Sequence, residues 1–317
     1  MKVLFVNHKE QSCGVYQFGK RVYQLASKAK NVKCYCCEIT TPQEFETALG
    51  DVNPDIIIYN FYTCTMGWLD DSIIIGLRPY CKQYGIFHDG GNIKRCLDKY
   101  IFSGAADVVD TTVDIPEIVL DIPQDKRILL PRPLFDCSCE ETINKVPTIG
   151  SFGFGFGHKG FSELVALVNE TFDEAIINLH MTVAAFGDAE GTTQELVKSD
   201  CERENVNSNI TLNITTDFIS DEDVLKFLAK NDINVFLYGA IHPGISSVID
   251  YALSVKKPLA ISACTMFRHI INEDIVVSDT NTISDIINKG IKPLEKYHNE
   301  WSTDNFIKAF EDMCYAN

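Results

Sequence analysis

Gly150-Ser151-Phe152-Gly153-Phe154-Gly155-Phe156-Gly157-His158-Lys159-Gly160-Phe161 joins two segments of different periodicity. Before it, Val146-Pro147-Thr148-Ile149 reads as a buried strand; after it, apolar residues from Phe161 to Asn169 recur at helical spacing. Strand, glycines, lysine and helix in that order form the repeating unit of a parallel α/β sheet. Glycines let the backbone bend sharply and approach a ligand, N–H groups at a helix start favour an anion, and Lys159 adds a mobile positive charge. The same grammar serves an ordinary strand-to-helix turn that binds nothing.

The rhythm extends in both directions. Downstream, strands are expected at Ala175 to Val183, Ile210 to Ile214, Ile233 to Tyr238, Pro258 to Ser262 and Ile275 to Val277. The clearest helix between them is Ser220 to Ala229, with Ser220 as N-cap and Asp223 in an acidic first turn. Upstream, Lys2 to Val6, Val32 to Glu38, Asp55 to Tyr59 and Tyr84 to His88 read as strands. Helical stretches fall at Val15 to Lys30 and near Trp68 to Lys82, with weaker elements up to Leu130. Leu130-Pro131-Arg132-Pro133 breaks regular structure and Asp136 to Lys145 is polar, which places a boundary near residue 145. The expectation is an α/β chain of two tandem Rossmann-like, doubly wound domains, 1–145 and 146–298, facing across a cleft. A C-terminal helix within 299–317 packs on one of them.

Composition agrees. A chain of 317 residues with 45% hydrophobic content suits two domains of roughly 150 residues each. The net charge of −16, with no basic aromatic-interleaved stretch, opposes nucleic-acid or anionic-membrane binding. The 12 cysteines form neither paired C-x-x-C motifs nor a Cys/His zinc spacing; Cys34 and Cys36 are expected on one strand face as small buried hydrophobes. Asn7-His8-Lys9 interrupts the first apolar run before a secretory leader could form, and no run reaches membrane-spanning length. A reducing cytoplasmic location follows, in which the sequons at Asn169, Asn209 and Asn213 are chance matches.

Four loops fall where strands should end. Asn7 to Gly19 runs into a helix near Gly14, Val15 and Tyr16; it is a candidate ligand loop or a plain turn. Asn60-Phe61-Tyr62-Thr63-Cys64-Thr65-Met66-Gly67-Trp68 mixes flat apolar faces with hydrogen-bonding groups, as sugar sites and many helix starts do. His88-Asp89-Gly90-Gly91 offers an imidazole beside a carboxylate, or a capped turn. Tyr238 to Ser247, through Gly244 and Ile245, enters a helix at Ser246-Ser247, a start that attracts phosphate when no carboxylate is near, or simply a cap. H-E-x-x-H, a P-loop Lys-Ser/Thr and G-x-S-x-G are all missing. Lys159 also stands where a dinucleotide fingerprint needs only close backbone packing, so hydride transfer is not expected.

Taken together, these loops resemble those of the GT-B glycosyltransferases, in particular family 4. The matching features are Gly153 to Gly160 ending in His158-Lys159-Gly160, Tyr238 with Gly244 to Leu253, Lys257-Pro258, His88-Asp89 and the Gly14 loop. The resemblance implies transfer of a sugar from a UDP- or GDP-sugar donor to a glycan or small acceptor, with retained configuration and no metal or other cofactor. It implies a donor site of Gly153, Phe154, Gly155, His158, Lys159, Tyr238, Gly244, Ile245, Ser246 and Ser247. His88 and Asp89 would act at the transferred sugar, and Gly14, Val15, Tyr16, Asn60, Tyr62 and Trp68 would receive the acceptor. The lack of a D-x-D motif at a strand end agrees with a metal-free site.

The chain departs from the family in its second half. Phe154 stands at the usual arginine position, and the two usual glutamates are missing; Asp250 can stand in for the second. The alternative is therefore a non-catalytic GT-B scaffold or a sugar-nucleotide-binding partner subunit, with a sugar-nucleotide epimerase as a third reading.

Overall fold

A computed structural model describes residues 1–88, 94–104, 122–137, 142–184, 187–239 and 244–316. The chain divides into two compact units. One comprises Met1–Leu134, Pro243–Ile245 and Glu300–Asn317, the other Phe135–His242 and Ser246–Asn299.

The first unit holds six parallel strands: β1 (Lys2–Asn7), β2 (Lys33–Glu38), β3 (Ile56–Tyr59), β4 (Lys82–Ile86), β5 (Lys99–Ser103) and β6 (Arg127–Leu130). Their order is β2-β1-β3-β4-β5-β6, so the direction of winding reverses between β1 and β3. Both faces of this sheet are covered, which explains why β3 is a continuous apolar run and not an alternating one. Along β1 the side chains divide by parity: Val3 and Phe5 join one core, Leu4 and Val6 the other. The helices are α1 (Gly14–Ala26), α2 (Pro42–Val52) and α3 (Asp71–Leu77).

Three local results differ from the sequence reading. Helix α2 was not expected, because Phe45 is its only fully buried residue and the apolar periodicity is faint. Its signals are in its ends: Thr41 accepts from the Glu44 N–H, Pro42 opens the helix, and Asn53 closes it in the left-handed region. Helix α3 is shorter than the stretch from Trp68 to Lys82, because Asp70 caps it from Ser72 and Ile73 and β4 has begun by Lys82. Cys36 is exposed and not buried as expected, since β2 is an edge strand.

The second unit holds β7 (Thr148–Phe154), β8 (Ala175–Thr182), β9 (Ile210–Thr215), β10 (Ile233–Phe236) and β11 (Leu259–Ile261), all parallel, in the order β11-β10-β7-β8-β9. Here the reversal lies between β7 and β10. Helices α4 (Phe161–Thr171), α5 (Thr192–Glu204), α6 (Asp221–Ala229), α7 (Val248–Ser254) and α8 (Ile283–Lys289) cover the sheet. The Ser220 cap of α6 is present, its side chain accepting from the Asp223 N–H. The strand expected at Ile275 to Val277 is reduced to a single bridge between Ile261 and Val276, β11 being too short to template more.

Helices α9 (Glu295–Glu300) and α10 (Thr303–Tyr315) end the chain. Phe306, Phe310, Met313 and Cys314 of α10 join the core of the first unit beside Val3, Phe5 and Val22. Burying large apolar side chains of this kind contributes about 2 kcal/mol each.

Candidate functional site

In open parallel sheets, ligands bind beyond the carboxyl ends of the strands at the point where the strand order reverses. In the second unit that point is the end of β7 and β10, where the glycine run and Tyr238 lie. The glycines have separate duties. At Gly150, inside β7, a Cβ would sit 1.8 Å from the Asn231 amide nitrogen, so that glycine makes room for a buried asparagine. Gly160 has a φ of +71°, and a Cβ there would meet the Leu237 carbonyl oxygen at 1.9 Å; only glycine fits. Gly155 presses on Gln194, whereas Gly157 has open space around it.

Between them, Gly157–Lys159 form one 3-10 turn leading into α4. His158 stacks on Phe156 at 5.6 Å and accepts the Gly239 N–H through its carbonyl, which ties this turn to the end of β10. The Lys159 ammonium lies 4.1 Å from the centre of the Tyr238 ring. Among the described residues no carboxylate lies within ion-pair distance of it, and burial lowers its pKa to about 8. Tyr238 itself is buried against Phe267, with its hydroxyl proton held well above the ordinary range by burial and its oxygen accepting from Ser246 Oγ at 3.3 Å. Phe154 is half-buried beside Phe156.

The helix start at Ser246-Ser247 differs from its expected character. Asp250 lies in the first turn of α7 and is fully buried, so the premise of no nearby carboxylate fails. The Ser246 N–H donates to the Met266 carbonyl at 3.0 Å and its hydroxyl to Tyr238, so Ser246 is occupied within the protein. Gly244 and Ile245 lead into this helix.

In the first unit the reversal lies at the ends of β1 and β3, and the polar groups there are bonded to one another. Asn60, just past β3, is fully buried and donates through Nδ2 to the Val15 carbonyl at 2.8 Å and to Asn7 Oδ1 at 2.9 Å. Asn7, the last residue of β1, donates to the Tyr16 carbonyl at 3.2 Å and accepts the His8 N–H at 3.0 Å. His88, two residues past β4, places Nε2 2.6 Å from Asn60 Oδ1. A Cβ at Gly19 would lie 2.2 Å from Asn60 Nδ2, so α1 passes close over the amide because that residue is glycine.

The Phe18 ring meets His88 edge-on at 5.5 Å, and the Arg132 guanidinium covers Phe18 at 4.7 Å. Burial, then the charges of Arg132 and His8, bring the His88 pKa down to about 3. His88, Tyr62, Phe61 and Lys94 line a small pocket with Leu97 and Tyr100.

Of the other expected acceptor residues, Gly14 and Val15 open α1. Tyr16 is buried with its hydroxyl donating to Glu38 at 2.5 Å, and Trp68 is half-buried against Phe45. Asp89 lies outside the described residues. Arg132 escaped sequence reasoning, and Asn7, Phe18 and Gly19 were read only as parts of the Asn7 to Gly19 loop, although Asn7 stands out as a polar residue closing the apolar run Val3 to Val6. Among the described residues no group of three or more His, Cys, Asp or Glu is placed to hold a metal, and no helix is long and apolar enough to cross a membrane.

The chain is similar over almost its whole length to several solved structures. HepE of Anabaena in complex with UDP-glucose matches with a TM-score of 0.67 at 11% identity, over 99% of this chain and 99% of that one. The α,α-trehalose-phosphate synthase (UDP-forming) of Burkholderia xenovorans, in complex with glucose-6-phosphate, gives 0.65 at 10% identity, again over 99% of each chain. The apo form of the lipopolysaccharide outer core galactosyltransferase WaaB gives 0.64 at 11% identity and the same coverage. No protein-family model matches the chain, and no curated protein matches it. The two Rossmann-like units therefore have the GT-B fold.

Proposed function

We propose that this chain is a glycosyltransferase that moves a sugar from a nucleoside-diphosphate sugar to a hydroxyl-bearing acceptor. Lys159 carries the reading: a half-buried ammonium with no carboxylate partner among the described residues, at the strand-order reversal of a nucleotide-binding fold. An uncompensated cation in such a place calls for an anionic ligand. Negative charge grows on the departing diphosphate as the glycosidic bond breaks, so the ammonium stabilises the transition state more than the ground state. Because a lysine already supplies positive charge there, the proposal extends to a metal-independent reaction, and by the family resemblance to retention of configuration. The solved structures with UDP or UDP-glucose bound favour uridine over guanosine as the base.

Isothermal titration with UDP, GDP and their glucose conjugates tests the reading. Uptake of at least one is expected, and no heat with any of them at millimolar concentration would sink it. A second reading, a subunit that binds the donor without transferring sugar, draws support from Phe154 at the arginine position and from Ser246, whose donors are already bonded within the protein. Donor binding with neither hydrolysis nor transfer to any offered sugar would favour this second reading.

A further inference from the structure

The buried amides in the first unit decide a matter that the proposed function leaves open, namely which nitrogen of His88 carries the proton. The Val15 carbonyl can only accept, so the Asn60 atom 2.8 Å from it is the NH2 nitrogen. The His8 N–H can only donate, so the Asn7 atom 3.0 Å from it is the carbonyl oxygen, and that same oxygen faces the Asn60 nitrogen at 2.9 Å. Two backbone groups thus orient both amides. The remaining atom of Asn60 is a carbonyl oxygen, and the His88 Nε2 lies 2.6 Å from it. Two lone pairs cannot face each other at that distance, so Nε2 bears the hydrogen.

We infer that Asn60 is a positioning residue that locks His88 as the Nε2–H tautomer, leaving Nδ1 as the ring's only lone pair, so that the imidazole meets a ligand hydroxyl as an acceptor and not as a donor. The inference rests on the proposed function only for the presence of a ligand at His88. Gly19 is part of the device, because any larger residue there would push the Asn60 amide away. Asn60 itself, expected from sequence to touch the acceptor, is enclosed by these partners and acts through His88.

Long-range proton–nitrogen correlation spectra of the nitrogen-15-labelled full chain, with the His88 signals assigned by their loss in His88→Gln, read the tautomer directly. A protonated Nε2 and a lone-pair Nδ1 are expected; a protonated Nδ1 or a doubly protonated ring would overturn the inference. Asn60→Asp replaces the amide by a carboxylate, and the His88 ring is then expected to take a second proton. An unchanged neutral ring in that variant, folded by circular dichroism, would also overturn it. Should the variant fail to fold, the wild-type spectrum still decides. The measurement contains no nucleotide, so a failed UDP titration would remove the donor reading alone, and a reversed tautomer would remove this inference alone.

Discussion

The strand ends of the two units occupy equivalent places in their sheets, yet their polar groups are in opposite conditions. In the first unit Asn7, Asn60 and His88 are bonded to one another and to the start of α1, at distances from 2.6 to 3.2 Å. In the second, Lys159 rests on an aromatic face with no carboxylate beside it among the described residues. Buried polar groups that satisfy each other give rigidity and a defined orientation, whereas a desolvated charge without a partner is a cost that a ligand can relieve. The first arrangement holds a side chain in place, and the second is where the proposed function puts an anion.

The largest test of this contrast is Lys159→Ala. Losing a charge-assisted contact to a diphosphate should weaken UDP binding about 100-fold while leaving uridine nearly unaffected. Equal losses for both in calorimetry would contradict the role assigned to Lys159. Next comes Gly160→Ala, which forces a Cβ into the Leu237 carbonyl at a positive φ. It should lower unfolding stability by about 3 kcal/mol in a urea titration. Gly157→Ala, in open space, should be close to neutral, and similar midpoints for the two would break the division of labour among the glycines.

A pH titration is the third test. Lys159 is charged below its folded value of about 8, so UDP affinity should fall about tenfold between about pH 7 and about pH 9. Lys159→Arg should remove that slope; a slope that persists belongs to another group. The stability effect has the opposite sense. The unfolded lysine keeps its proton up to a higher pH, so the cost of burying the charge is relieved as pH rises from about 8 towards the ordinary lysine value.

Smaller still is Gly19→Ala, which should cost about 1 kcal/mol by crowding Asn60 and should blur the single tautomer of His88. The smallest expected effect is a flat line. His88, facing Asn60, Phe18, Arg132 and His8, keeps a folded pKa of about 3, so transfer rates should show no acid limb at the ordinary histidine value. Its folded-state pKa is depressed, so its contribution to stability is complete above the ordinary value and is lost as pH falls from there towards 3.

Legibility differed between the two strand ends. Glycine run, lysine and helix are contiguous, so Gly153 to Phe161 could be read as one loop. The relay of Asn7, Asn60 and His88 spans three strands brought together by the order β2-β1-β3-β4, and no local pattern links them. Local caps announced α6, and caps alone would have revealed α2 where periodicity was faint. Ser246-Ser247 shows the reverse case: a helix start that looks open to an anion in sequence has both Ser246 donors bonded to Met266 and Tyr238, and a buried Asp250 in its first turn.

The sequence by itself determined the two tandem α/β units and the position of the glycine-rich strand-to-helix loop, because hydrophobic period and backbone-permissive glycines are local properties of a chain. Only the tertiary structure decided that Lys159 lies on Tyr238, that α10 completes the core of the first unit, and that Asn60 serves His88. Those facts depend on which strands become neighbours, and neighbourhood is set by the burial of whole faces, not by any short run of residues.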